Sequence, residues 1–293
     1  MEKQQSHGLV VDVGMHDGAD TAFYLAKGFD VLAVEADPDL VAAANERFAT
    51  EIQAGRLTVL PIALTTYEGE TDFYVSSDDT WSSTKPEMAQ RGYHGMTTRK
   101  ITVPCTTLAK VLSTVPTPHY VKIDIEGGDA DCIRSLGEVA EKPRYVSFEA
   151  NMTDPAEVGE LVDLLAGSGF DRFKFVNQAK HPTLRLPFPA VEGDYVDAHF
   201  TKGMSGPFGE ETPGQWLTRD EILDLYHDLQ RRQAIRIQYS YAGRVFGIPV
   251  TGIHKQLRWL YNTRPVSRVR SWYAGARGVE VGGWFDLHAA RTV

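Results

Sequence analysis

The stretch "VVDVGMHDGADTAFYLAKGFDVLAVEADP", residues 10–38, decides the fold. It covers two short apolar runs, Leu9–Val13 and Asp30–Glu35, which have the continuous hydrophobicity of strands buried on both faces. The residues between them, Ala19–Lys27, have a helical pattern. A strand, a helix and a second strand in this order predict a βαβ unit with parallel strands.

The same alternation continues to about residue 176. The predicted strands are Leu57–Leu64, Asp72–Val75, Ile101–Cys105, His119–Asp124, Arg144–Glu149 and Arg172–Val176, and the predicted helices are Pro38–Phe48, Asp129–Ala140 and Pro155–Gly167. Strands separated by helices need crossover connections, so the pattern predicts an α/β fold with a doubly wound, mostly parallel sheet and helices on both faces. In such sheets, ligands bind at the carboxyl ends of the strands.

Glycines and acids mark the ends of the first two strands. Gly14 and Gly18 fit a tight turn that lets a ligand approach the backbone. The dinucleotide fingerprint G-x-G-x-x-G is absent, which favours a ligand without a pyrophosphate. Glu35 is placed to accept bonds from two ribose hydroxyls, and Asp12 to hold an ammonium group directly or through water. S-adenosylmethionine (SAM) carries both groups; the alternative is that the two acids only cap helices or solvate strand ends.

At this point the chain resembles a known family. "VVDVGMHDG" and "VEADP" look like the first two SAM-binding motifs of class I methyltransferases. The segments that resemble the FkbM-type methyltransferase family follow in order: "IALTTYEGETDFYVS", "SSTKPE", "VPCTTLAKVL", "YVKIDIEGGDADCIRSL" and "YVSFEAN". The likeness runs from about Val10 to Asn151, and "KIDIEG", Lys122–Gly127, is its most telling part.

The resemblance implies a Rossmann-like fold and SAM-dependent O-methylation of a hydroxyl on a natural product or sugar. It implies cofactor binding by Asp12, Gly14, His16, Asp17, Gly18, Glu35, Ala36, Ala63 and Asp124. Two rival functions are a nicotinamide-dependent oxidoreductase and a noncatalytic Rossmann-like binding module. The absent fingerprint counts against the first, and the intact cofactor motif counts against the second.

A hydroxyl must lose its proton when it is methylated, so a nearby base is expected. The candidates are Asp124, Glu126 and Glu149, at the ends of two strands. Glu126 could instead cap the following helix, and Lys122 could pair with a neighbouring acid. His199, in the predicted final strand "VDAHF", is an alternative base.

Oxygen ligands raise the question of a metal. Asp124, Glu149 and Asn151 resemble sets that hold magnesium in some catechol-type methyltransferases. Oxygen-rich sets are common without an ion, so we predict no metal and keep Mg²⁺ as an alternative that we do not favour.

The pattern weakens beyond about Gln178. We predict a SAM-binding domain over 1–180 and a C-terminal elaboration over 181–293 that forms part of the acceptor site. The elaboration contains a Gly/Pro-rich loop, Ser205–Trp216, with Trp216 expected in a substrate lid, and a helix over Arg219–Arg232. From Gln230 onward the chain carries a charge of +9, which leaves −18 for the rest. Either this tail packs on an acidic body, or its arginines Arg258, Arg264 and Arg268 receive an anionic acceptor.

Composition sets the remaining expectations. The 293 residues are 42% hydrophobic and 24% charged, which is ordinary for a globular protein. The polar start "MEKQQSHG" is unlike a secretory signal, and the chain has no apolar run long enough to span a membrane. Two cysteines alone indicate no disulfide framework, so we expect a cytoplasmic protein. The expected partner is a small-molecule acceptor, without nucleic acid or membrane, and a homo-oligomer is left open.

Overall fold

In the computed structural model, the described residues are 6–90, 97–151, 154–201, 203–231 and 284–292. Their strands are β1 (Leu9–Val13), β2 (Asp30–Glu35), β3 (Leu57–Pro61), β4 (Ala63–Leu64), β5 (Gly69–Ser76), β6 (Thr98–Thr106), β7 (Tyr120–Ile123), β8 (Tyr145–Glu149), β9 (Arg172–Asn177) and β10 (Phe285–Ala290). Their α-helices are α1 (Ala19–Ala26), α2 (Pro38–Arg47), α3 (Ala49–Gln53), α4 (Pro86–Ala89), α5 (Leu108–Leu112), α6 (Asp129–Leu136), α7 (Pro155–Gly167) and α8 (residues 219–231).

Seven strands form one sheet in the order β3-β2-β1-β7-β8-β10-β9. The pairs β1–β2, β2–β3, β1–β7 and β7–β8 are parallel, whereas β10 runs antiparallel to both β8 and β9. The predicted α/β class and mostly parallel sheet are confirmed. The strand order reverses direction at β1, which lies between β2 and β7, and this is where open α/β sheets bind their ligands.

A second sheet of three strands has the order β4-β6-β5. The single strand that we predicted over Leu57–Leu64 is therefore wrong, because its two halves pair in different sheets. Pro61 has no N–H to continue the ladder with β2, and the amide of Ile62 turns back to the carbonyl of Leu60 at 3.0 Å. The predicted strands Asp72–Val75 and Ile101–Cys105 are the centres of longer antiparallel partners, β5 and β6.

The main sheet is covered on both faces. One face packs against α5, α6, α7 and α8 through residues such as Leu108, Ile133, Leu161 and Ile222. The other face packs against α1 and α2 and then, over β7 and β8, against the irregular segment 184–216. Phe208 of this segment stacks on Tyr120 of β7, with ring centroids 4.7 Å apart and an interplanar angle of 5°. An aromatic loop thus occupies the place of a further helix.

Two further element predictions are wrong. The helix expected over Asp129–Ala140 ends at Leu136. Residues 194–200, which include His199, form no strand, and the final strand is β10 instead. The alternation in "VDAHF" arises because Phe200 packs in the core, while the amide of Ala198 turns back to the carbonyl of Val196 rather than joining a ladder.

The predicted boundary at residue 180 stays a prediction, although β10 brings residues 285–290 into the main sheet. Over the ranges that the structure describes, no helix combines the length and the apolar character needed to cross a membrane.

A fully buried ion pair fastens the segment after β9 to α1. The Lys27 ammonium lies 2.9 Å from the Glu211 carboxylate, and neither side chain is exposed. Lys27 also donates to the carbonyl of Asp194 at 3.0 Å, and Glu211 accepts from the amides of Val191 and Glu192. Both charged groups are shielded from water, so each relies on the opposite charge of the other to offset the cost of burial.

We expect Lys27→Met to lower the free energy of unfolding by about 3–5 kcal/mol, because it leaves the buried Glu211 charge without its cation. Urea denaturation measures the change. Lys27→Met/Glu211→Gln should recover part of the loss, since glutamine keeps the oxygen that accepts the two amides. Lys110→Met, at an exposed lysine, is the control. A loss under about 1 kcal/mol for Lys27→Met would show that the pair does not fasten the segment.

Candidate functional site

A cleft of about 920 Å³ opens at the carboxyl ends of β1, β2, β7 and β8. The predicted site residues that line it are Gly14, His16, Asp17, Glu35, Ala36, Ala63, Asp124, Glu126 and Glu149. Asp12 and Gly18 are not among its lining residues. The topology therefore brings most of the predicted cofactor and catalytic residues to one cavity.

Gly14 and Gly18 shape the turn between β1 and α1, and both have left-handed φ angles, 81° and 76°. A Cβ on Gly14 would lie 1.8 Å from the carbonyl oxygen of Asp124. The close approach that requires glycine is therefore made by the chain's own backbone after β7, and not only by a ligand as the sequence implied. Asp17 accepts from the amide of Ala19 at 2.9 Å, which fixes the first turn of α1.

Glu35 ends β2 with its carboxylate held in place. One oxygen accepts from the amide of His16 at 2.9 Å and the other from the amide of Asp37 at 2.8 Å. Burial raises the pKa of Glu35, and these amide donors oppose that shift because they stabilise the charged form. Each carboxylate oxygen keeps a further lone pair, so the group can still accept from two hydroxyls.

Asp12 lies beneath the cleft. It is fully buried, accepts from the hydroxyl of Thr21 at 2.6 Å, and lies 3.3 Å from the ammonium of Lys122. This arrangement does not favour the direct contact of Asp12 with a ligand ammonium, because the Lys122 ammonium lies beside the buried carboxylate. The contact through water stays a prediction. Sequence reasoning gave Lys122 a pairing with a neighbouring acid as its alternative role, and such a pairing is present.

Asp20 is a site residue that sequence reasoning missed. It lines the cleft in the first turn of α1, 3.8 Å from Lys122, and both of its oxygens accept from the amide of Ser205, at 3.2 and 3.0 Å. Burial, opposed by Lys122 and assisted by Asp12, raises the pKa of Asp20 to about 6. The available signal was an acid two residues after the glycine turn, at a helix start where a carboxylate is ordinarily only a cap.

Three acids converge at the ends of β7 and β8. Carboxylate oxygens of Asp124, Glu126 and Glu149 lie within 4.8 Å of one another. Asn151, the third member of the magnesium set that we kept as an alternative, is exposed and donates to Glu157 at 3.0 Å. Exposed acids are often grouped without an ion. Our prediction of no metal stays a prediction.

Glu126 occupies an unusual backbone position, with a φ of 50°. A non-glycine residue in this region costs on the order of 1 kcal/mol or more, which is typical of functional sites. The N-cap residue of α6 is Gly128, and no side-chain cap hydrogen bond is made there. The Asp129 carboxylate accepts from the amide of Gly127, just before the helix, at 3.3 Å. Glu126 lines the cleft.

The remaining walls come from residues that the sequence did not single out. Asp78–Ser82, between β5 and α4, lines one side, and His16 Nε2 lies 3.1 Å from Asp79 across the cleft. Gln178, Thr201, Met204 and Trp284 line another side. The segment "SSTKPE" carried part of the family resemblance, and its Ser83 hydroxyl donates to the carbonyl of Glu126 at 2.7 Å.

Two predicted acceptor-site residues lie elsewhere. His199 is exposed and does not line the cleft. Trp216 stacks on Tyr145 at the amino end of β8, 6.2 Å between ring centroids, and donates to Glu210 at 2.7 Å. A lid role for Trp216 over the cleft is wrong, because it packs at the opposite end of the sheet. Arg258, Arg264 and Arg268 lie outside the described residues.

Comparison with known proteins places residues 12–172 in the family model described as the methyltransferase FkbM domain. A methyltransferase FkbM from Methylobacillus flagellatus KT is 18% identical over 51% of this chain, with a TM-score of 0.33; the match spans 34% of that protein. A precorrin-6y C5,15-methyltransferase from Geobacter metallireducens GS-15 is 11% identical over 64% of this chain and 73% of its own, with a TM-score of 0.32.

A predicted O-methyltransferase from Agrobacterium tumefaciens is 16% identical over 60% of this chain and 68% of its own, with a TM-score of 0.33. The match to the Methylobacillus flagellatus protein spans only about a third of that protein's length. No curated protein matches the chain. At such TM-scores the family match, and not the structural likeness, carries the assignment.

We expect Glu35→Ala to weaken binding of SAM and S-adenosylhomocysteine by about 1.5–3 kcal/mol, because the ribose would lose a charged hydrogen-bond acceptor. Calorimetry measures the affinity, and circular dichroism checks the fold. Glu87→Gln, at an exposed acid on α4, is the control. Unchanged affinity in a folded Glu35→Ala protein would remove Glu35 from the cofactor site.

We expect stability to depend on pH through Asp20. Its pKa is raised from 3.8 to about 6, so its contribution is complete only below about pH 3 and is lost as the pH rises through about 6. Between about pH 4 and pH 7, the unsubstituted protein should lose about 2 kcal/mol of unfolding free energy relative to Asp20→Asn. Urea denaturation across this range measures the difference, with Glu87→Gln as the control. A difference that does not change with pH contradicts the assignment.

Proposed function

The chain belongs to the FkbM methyltransferase family, and from this membership we propose that it transfers a methyl group from SAM to a hydroxyl of a small natural product or sugar. The observation that carries the proposal is that Glu35 and the acids Asp124, Glu126 and Glu149 all line one cleft. A ribose acceptor and a set of proton acceptors then lie on the same cavity. We place the reaction in the cytoplasm and in natural product biosynthesis as part of the proposal.

The residues present fit SAM. Glu35 is buried, yet its carboxylate is prepared by two backbone amides and keeps lone pairs for a ribose diol. Asp20 and Asp124 line the cleft near Lys122 and would meet the ammonium of an amino acid moiety. The single positive charge of Lys122 compensates only part of the negative charge of these two acids. SAM, when bound, supplies an electrophilic methyl group.

The chain's own residues would position the acceptor and take up a proton. Alignment of the attacking oxygen with the methyl carbon accounts for most of the acceleration in such a reaction. As the new O–C bond forms, the S–C bond would break to leave S-adenosylhomocysteine. The acceptor O–H bond would also break, and its proton would pass to a carboxylate within hydrogen-bond reach. Asp124, Glu126 and Glu149 are the carboxylates grouped at the ends of β7 and β8.

The two rival functions have less support. A nicotinamide-dependent oxidoreductase would need backbone space for a pyrophosphate, but Met15 and His16 stand where the fingerprint has its middle glycine. A noncatalytic module has no need of a strained Glu126 beside two further acids. Fluorescence of bound NADH would favour the first rival, and cofactor binding without any methyl transfer would favour the second.

We expect that at least one of the variants Asp124→Asn, Glu126→Gln and Glu149→Gln lowers the single-turnover rate of methyl transfer about 10²–10⁴-fold. This is the usual contribution of a general base. SAM affinity should change far less. Radiolabelled methyl transfer first identifies an acceptor, and rapid quench then measures the rate.

Asp78→Asn is the matched control, because it makes the same chemical change on another wall of the cleft. Normal rates in all three cluster variants would place the base elsewhere. Thorough chelation with EDTA should leave the rate of the unsubstituted protein unchanged; a loss that Mg²⁺ restores would replace our prediction of no metal with a magnesium site.

A further inference from the structure

Trp284 forms part of the cleft wall at the start of β10, and 37% of the residue is exposed. Its indole N–H donates to the side-chain oxygen of Gln178 at 2.5 Å. The side-chain nitrogen of Gln178 in turn donates to Asp286 at 2.6 Å. Both ends of the Gln178 amide are engaged, so the indole is anchored along one edge while the residue stays accessible from the cleft.

Asp286 is the last member of this series of hydrogen bonds and lies inside the sheet. It is buried on β10 directly opposite Glu149 of β8. Burial, with Asp124 as the next contribution, raises the pKa of Asp286 well above its usual value, which favours the uncharged carboxyl. Asp286 accepts from Gln178 and so holds the amide in place from within the sheet.

The charge of the cleft limits what can stack there. Acidic side chains lie on several of its walls, including Asp17, Asp78, Asp79 and Asp124. Among the described lining residues, Lys122 is the sole lysine or arginine, and three carboxylates lie within 4 Å of its ammonium. The potential from these residues opposes an anion and favours a neutral or cationic ligand.

We propose that Trp284 is the stacking surface for the acceptor and that the acceptor is a hydroxylated ring compound without negative charge. The inference rests on the proposed methyl transfer and narrows its substrate class. Aromatic side chains stack on the flat faces of rings, and a protonated amine on the ring gains a cation–π contact with an indole. Gln178 and Asp286 are positioning residues, because they act through Trp284.

The competing outcome is an anionic acceptor, held by the arginines of the basic tail. Two series of probes separate the outcomes because the ring is constant within each series while a substituent of different charge is attached to it. The phenolic series is dopamine, 4-methylcatechol and 3,4-dihydroxyphenylacetate. The sugar series is glucosamine, methyl glucoside and glucuronate, and a comparison of the two series identifies the kind of ring.

The experiment is a saturation-transfer NMR titration of each probe against the full chain saturated with S-adenosylhomocysteine. In at least one series, the cationic and neutral members should bind more tightly than the carboxylate. Trp284→Leu should weaken this binding by roughly three- to tenfold, the equivalent of one aromatic contact, whereas Trp284→Phe should retain most of it. Trp216→Leu, at the opposite end of the sheet, should have no effect.

The positioning residues need their own readout. Asp286→Asn keeps an oxygen that can accept from Gln178 and should preserve probe binding, while Asp286→Leu and Gln178→Leu should lose it as Trp284→Leu does. Calorimetry with S-adenosylhomocysteine runs in parallel. If that ligand fails to bind the unsubstituted protein, the proposed function fails. If it binds normally, the acceptor inference alone is overturned by tighter carboxylate binding, by no probe binding, or by a Trp284→Leu protein that binds as before.

Discussion

The site depends on one buried ammonium. Lys122 donates to the carbonyl of Gly14 at 2.9 Å and lies 3.3 Å from Asp12 and 3.8 Å from both Asp20 and Asp124. Burial works against the charged form, yet these three acids raise the pKa of Lys122 above its usual value. The ammonium therefore stays charged, and it holds together β1, the start of α1 and the end of β7 where they meet beneath the cleft.

This cation belongs to a polar row that crosses the sheet. The pairing registers place Asp12, Lys122, Ser147, His288 and Lys174 side by side on five adjacent strands. All five are buried. Burial lowers the pKa of His288 to about 3, so its imidazole is neutral near pH 7. Burial also lowers the pKa of Lys174 to about 8, so the row has a neutral histidine between two lysines. A polar row can be buried only if its neighbours satisfy it, and Lys174 donates to Thr212 of the irregular segment 184–216.

The same row shows why the sequence predicted one half of the fold and not the other. β1 and β2 are nearly continuous apolar runs that end beside a glycine turn and an acid, so the βαβ unit, Gly14 and Glu35 could be recognised locally. β10 has Asp286 and His288 at inward positions, which breaks the apolar pattern. Its anchor Gln178 is 108 residues away from Asp286, and no local pattern reports such a contact.

The site residues divide in the same way. Glu126 and Glu149 could be placed from the strands that precede them, because parallel strand ends meet at one edge. The sequence drew attention to Asp12, but Asp20 is the acid that lines the cleft. The sequence does not show that Lys122 lies near both acids. Trp216 was misplaced because a loop rich in glycine and proline predicts a turn but not the end of the sheet on which it packs.

The placement of β10 separates the two halves of the site physically. Gly14, Glu35 and Lys122 depend on β1, β2 and β7, which pair without any help from the end of the chain. The wall with Gln178 and Trp284 depends on the register that sets Asp286 opposite Glu149. A slip of one residue would turn Phe285 or Leu287 to that face and leave Gln178 without its anchor. Substitutions near β10 can therefore move the wall that contains Gln178 and Trp284, while the glycine turn and Glu35 keep their geometry.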